Sequence, residues 1–120
     1  MAENEPFASR LREARLRKGA RLKAAGQKGR YTQERVALNI GIDEASAPSR
    51  VNHYEQGRHL PDIETAKRLA AELDVPLAYL FCEDNGMAEL LLLFEQLPVR
   101  KRKQALAALQ ELVPQPKQAT

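Results

Sequence analysis

Apolar positions return every three or four residues through most of the chain, and each run is closed by a glycine, a proline or a capping side chain. Behind Pro6, the residues Phe7, Leu11, Ala14 and Leu16 mark one face of a first amphipathic helix that runs at least to Lys18. Thr32 is a good N-cap for a second, short helix, with Gln33 and Glu34 in its first turn, Val36, Ala37 and Ile40 inward, and Gly41 as its stop. A third helix begins where Ser46 can cap and Pro48 suits the first turn; Val51 and Tyr54 face inward, and Gly57 ends it. Asp62 caps a fourth, with Ile63, Ala66, Leu69, Ala70 and Leu73 on its buried side. Pro76 opens a short fifth through Leu77, Leu80 and Phe81. Between the first two helices lies "GARLKAAGQKGR", residues 19–30. Its glycines and the cations Arg21, Lys23, Lys28 and Arg30 read as an inserted basic loop or a frayed extension of the first helix.

Beyond residue 82 the pattern changes. "NGMAELLLLFEQLP" and "VRKRKQALAALQELVP" predict a helical hairpin over residues 83–113: Asn85 or Gly86 starts the first arm, Pro98 begins the second, and Pro114 stops it before a tail at 114–120. The first arm is apolar nearly all round, through Leu90, Leu91, Leu92, Leu93 and Phe94, with Leu97 at its end. The second carries Val99, Leu106, Leu109 and Val113 on one face. That is more apolar surface than one small domain needs to cover, and such a surface marks a partner interface.

Composition narrows the class. Helix-forming Ala, Leu, Arg, Lys, Glu and Gln dominate, Trp is absent and aromatics are scarce, so the chain reads as all-α. Cys82 is the only cysteine, which excludes an intrachain disulfide and a cysteine-based metal site and fits a reducing, cytoplasmic setting. The N-terminus has no secretory pattern, and no stretch reaches the roughly 18 apolar residues of a membrane span. The net charge is only +3, but it is unevenly placed. Arg10, Arg12, Arg15, Arg17, Lys18, Arg21, Lys23, Lys28, Arg30 and Arg35 face only Glu13 and Glu34 in the same stretch, whereas residues 62–95 are mostly acidic. A molecule with such a basic pole attracts polyanions there.

The ordered set Thr32-Gln33-Glu34, Ala37, Gly41-Ile42, Val51, Tyr54, Glu55 and Gly57, closed by Pro61, Leu69, Ala70, Leu73 and the "VPLAYLF" of 75–81, resembles the lambda-repressor-like (Cro/repressor, XRE-type) helix-turn-helix family. The likeness covers roughly residues 7–82. It implies a five-helix DNA-binding domain over residues 1–82, in which the third helix enters the major groove while the second lies across the phosphate backbone. Two features depart from the family: Pro48 stands where a polar residue is common, and the turn between the two helices is longer by "DEAS", residues 43–46. The longer turn bears on the angle between the helices and on which side chain leads into the groove.

On the third helix, Arg50 can fork onto guanine O6 and N7, Asn52 can pair an adenine edge if it faces outward, and Ser49 and His53 can each make base contacts. With Val51 and Tyr54 fixing the buried side, Ser49, Arg50 and His53 are the better placed. The resemblance assigns phosphate contacts to Thr32, Gln33, Gln56 and Arg58, and the basic segment adds Arg30. It also implies a pair between Arg15 and Glu55 that fixes the recognition helix. His53 and His59 have no acidic or cysteine partner at ligand spacing, so no metal is expected, and no cofactor motif is present.

These readings converge on a sequence-specific regulator of double-stranded DNA, a homodimer joined through Leu90, Leu91, Leu93, Phe94, Leu97, Leu106 and Leu109 that reads a palindromic operator. With nothing beyond the hairpin to recruit polymerase, repression is the expected outcome. The basic segment 19–30 is expected to clamp phosphates or reach an adjacent minor groove. Two alternatives use the same residues differently: an antitoxin-type protein whose leucine-rich hairpin holds a toxin, and a protein-interaction module that has lost DNA binding. An enzyme is the poorest fit, because no nucleophile–base constellation or phosphate-binding glycine loop is present.

Overall fold

The computed structural model describes residues 4–116, which form seven α-helices and no strand. In chain order they are α1 (Phe7–Ala24), α2 (Gln33–Asn39), α3 (Ala47–Glu55), α4 (Ile63–Glu72), α5 (Leu77–Leu80), α6 (Asn85–Gln96) and α7 (Val99–Leu112).

Helix boundaries follow local chemistry. The Thr32 hydroxyl accepts the Arg35 N–H at 3.1 Å to start α2, and the carboxylates of Asp62 and Asp84 accept from Thr65 (2.8 Å) and Met87 (2.7 Å) to start α4 and α6. At the end of α2, Gly41 has φ +93°, which a side chain would resist. That left-handed residue lets the Ile42 N–H reach the Ala37 carbonyl and the Gly41 N–H reach Leu38, satisfying two terminal acceptors. The same closure ends α1 at Gly26 and α3 at Gly57. The first helix therefore extends through Gly19 to Ala24, and only the second half of segment 19–30 is loop.

One core joins α1 to α5. Phe7, Leu11 and Ala14 of α1, Val36 and Ala37 of α2, Val51 and Tyr54 of α3, Ala66 and Leu69 of α4, and Tyr79 and Leu80 of α5 are all buried in it. Leu16, Ile63 and Phe81, expected inward, are exposed instead, and Tyr79 takes the place assigned to Phe81. Phe81 still touches Phe7, with ring centroids 5.2 Å apart. The Tyr79 hydroxyl donates to Glu13 at 3.2 Å; burial and the Glu13 charge push its pKa up.

Arg10 ties the core to the start of α6. It is buried on the same face as Phe7 and Ala14, and it donates to the Cys82 carbonyl (2.9 Å) and to Asn85 Oδ1 (3.0 Å). Those contacts fix where α6 leaves α5. Only Ala88 of α6 is buried, and α7 buries none of its residues. At the bend between them, Arg102 lies over the Phe94 ring, 5.3 Å from its centroid, and donates to the Glu95 carbonyl at 3.1 Å.

The Asp62 cap makes stability depend on acid. Hydrogen bonds from Thr65 hold its carboxyl below the ordinary value of 3.8, so its contribution is present above that value and is lost as pH falls through the lower folded-state value. The melting temperature of Asp62→Asn should lie below wild type near neutrality, and the difference should close in strong acid. A difference that persists undiminished in acid would show that the charge contributes nothing to the cap.

Candidate nucleic-acid interface

Helices α2 and α3 form a crossed pair. Ala37 on α2 and Ala47 on α3 are completely buried, small enough to let two short helices approach closely. The longer turn between them is ordered by Asp43, whose carboxylate accepts the Ser46 N–H at 2.8 Å and whose carbonyl accepts from Ala47 at 2.9 Å. Ser46 occupies the N-cap position of α3 but makes no side-chain cap bond; Asp43 instead orders the turn that leads into the helix. The hydrogen bonds from Ser46 hold the Asp43 carboxyl below its ordinary range, with a smaller contribution from the Arg50 charge.

The angle of α3 is fixed from its far end. Arg15 Nε donates to Glu55 Oε2 at 2.6 Å and its Nη2 to Oε1 at 2.9 Å, a two-pronged pair with side chains only 14% and 2% exposed. Gln33 Nε2 donates to the same Oε1 at 3.0 Å and to Asn52 Oδ1 at 3.3 Å. Both amide hydrogens of Gln33 are thus turned to α3, and the side chain braces the helix pair. Asn52 is drawn toward α2 by the same bond and is half-buried.

What remains outward on α3 is Pro48, Ser49 and Arg50, all exposed, with half-buried His53 beside them. His53 meets His59 edge to face, ring centroids 5.4 Å apart, so the loop after α3 supports the face. Arg30 and Thr32, just before α2, and Gln56 and Arg58, just after α3, are exposed as well. Among the described residues, no three His, Cys, Asp or Glu side chains cluster in a way that could hold a metal. No described helix is long and apolar enough to cross a membrane. The burial of Arg10, the Asp43 turn and the Asp84 cap escaped sequence reasoning; for the two aspartates, an Asp three positions before the N–H it accepts, at the edge of a helix, was the available signal.

A short helix, an ordered turn and a second helix with one polar outward face, packed on a common core, define a helix-turn-helix protein. A helix-turn-helix family model matches residues 22–80. The crystal structure of the transcriptional regulator BswR is similar with a TM-score of 0.74 and 35% sequence identity, over 87% of this chain and 92% of that one, so the likeness reaches beyond the span of the family model. No curated protein matches the chain. The chain belongs to the lambda-repressor-like, XRE-type helix-turn-helix family.

Proposed function

We propose that this protein is a sequence-specific DNA-binding transcriptional regulator, a homodimeric repressor that reads a palindromic operator through α3. The observation that carries the reading is the outward face of α3: Ser49, Arg50 and His53 share it, while the Arg15–Glu55–Gln33 cluster holds the helix from behind. A rigid helix with a bidentate donor at its exposed start suits a guanine edge in the major groove. Thr32, Arg30, Gln56 and Arg58 flank it where a duplex would bring its phosphates, and they supply affinity without sequence information. Family membership and the likeness to a transcriptional regulator support the same reading.

Pairing of two copies through α6 and α7 would set two α3 helices about 34 Å apart, one turn of B-DNA, and so require an inverted repeat. Occupancy of such a site excludes other proteins from it, which makes repression the simplest outcome. Selection from random duplexes tests the reading. An inverted repeat should be enriched, and Arg50→Ala should cost roughly 1–3 kcal/mol of binding and relax preference at one base pair of each half-site. Weak binding that is blind to sequence would overturn it.

A further inference from the structure

The fold pairs some cations of α1 with carboxylates, Arg15 with Glu55 among them, and leaves others free. Lys18 and Arg21 turn toward the end of α4, where Asp74 lies 3.5 Å from Lys18 and 3.1 Å from Arg21. Arg12 and Lys23 lie elsewhere on the helix, and among the described residues neither has a carboxylate within 4.0 Å. They belong to one stripe of α1, with Gly19 between them. Across from this stripe run Arg30, Tyr31 and Thr32, the last residues before α2, and the two walls enclose an open groove of about 910 Å³.

The groove is pinned from behind. A Cβ on Gly19 would stand 3.4 Å from the Tyr31 Cβ, so the two segments touch there. The Tyr31 hydroxyl donates to Glu72, and the Lys18 ammonium sits over the ring, 5.4 Å from its centroid. Burial and the Glu72 contact push the Tyr31 pKa up, which keeps the hydroxyl a donor. The loop is thus anchored on its far side, while Arg12, Lys23 and Arg30 are left to solvent. Gathering like charges in one concave surface is unfavourable by itself and favourable when a polyanion lies in it.

We propose that this groove is a second phosphate track, which takes the sugar–phosphate backbone of the duplex beside the half-site read by α3. The inference rests on the DNA-reading proposal and extends its footprint onto α1. Arg12 and Lys23 are eleven residues apart on a helix, about 16 Å, a length that accommodates several phosphates of one strand. A small free anion would need converging donors in a closed site, and these cations are strung along an open one. The groove also opens at Thr32, on the flank of the helix pair, so a strand leaving α3 can enter it without a break.

The test compares the full chain with Arg12→Gln/Lys23→Gln on the selected operator, on operators with progressively shortened flanks, and over a salt series. Loss of two phosphate contacts lowers the slope of log affinity against log salt by roughly 1.8, so the wild-type advantage should shrink by about tenfold between 50 and 200 mM salt. Wild type should lose affinity as the flanks are trimmed, the double variant should not, and both should melt alike and prefer the same operator. Equal slopes and equal flank dependence would overturn the groove proposal while leaving selective binding by wild type intact. If wild type itself shows no selective binding, the DNA-reading proposal and the groove fall together. Competition by inorganic phosphate at fixed ionic strength, seen for wild type and absent from the variant, would mark a free-anion site and overturn the track.

Discussion

Replacing Glu55 with alanine should destabilise the protein by about 3–5 kcal/mol, the cost of leaving one partner of a buried ion pair behind. Glu55 accepts from Arg15 at 2.6 and 2.9 Å and from Gln33 at 3.0 Å, and removing its carboxylate strands both donors where water has little access. A domain of this size has roughly 5–15 kcal/mol in all, so the variant should melt far earlier and populate unfolded chain at ordinary temperature. A cycle with Arg15→Ala separates the pair from its surroundings. The double variant should be clearly less destabilised than the sum of the singles, because no buried charge is then left alone. An apolar replacement, Arg15→Met/Glu55→Leu, should recover much of the stability without recovering operator affinity, since the fork that sets the angle of α3 is gone. Chemical denaturation and duplex binding on the same samples check this. Additive single effects, or full operator affinity in the apolar variant, would show that the pair does not orient the helix.

Charging the apolar face of the C-terminal arms should break operator binding without touching the part that contacts DNA. Leu93 is 55% exposed, Leu106 is 50% exposed, and Leu90 and Leu109 are also exposed; no residue of α7 is buried. Apolar surface left this open on two successive helices is costly in water, and a second copy would relieve it. Leu93→Asp/Leu106→Asp should convert a dimer into a monomer with unchanged helix content. A lone α3 has one half-site to hold, so affinity should fall from the nanomolar range of specific complexes toward the micromolar range of non-specific ones, about a thousandfold or more. Light scattering at tens of micromolar and binding to whole and half operators read the two effects separately. A monomeric wild type would sink the homodimer, and the same face would then be the place to look for a different protein partner.

Much of this architecture is local, and so was legible in the sequence. Thr32 and Asp62 accept backbone N–H groups three residues on, and Gly41 takes a left-handed turn; each condition is met within a few residues, whatever the rest of the chain does. The spacing of Val36, Ala37 and Ile40, or of Ala66, Leu69 and Ala70, likewise states which face of a helix is apolar before any neighbour is known. From these, the helices through residue 82, their order and the outward position of Arg50 all follow.

Other features depended on which helices meet. Leu16 and Ile63 fit their apolar stripes, yet no neighbouring helix covers them, while Arg10 is buried because the carbonyl ends of residues 82 and 83 and the Asn85 side chain converge on it. Gln33 and Asn52 carry side chains that could serve DNA, but the approach of α2 to α3 turns them on each other and on Glu55. The cations of α1 look alike in the sequence, and the carboxylates the fold brings to them, Glu55 at Arg15 and Glu72 and Asp74 at Lys18 and Arg21, divide the neutralised from the free. The helices, the Thr32 and Asp62 caps and the family were readable from residue order alone; the packing of the helices set which polar groups are spent internally and which are left for a ligand. Backbone hydrogen bonding at a helix end is settled by adjacent residues, whereas the burial of Arg10 and the pairing of Arg15 are settled by partners 75 and 40 positions away.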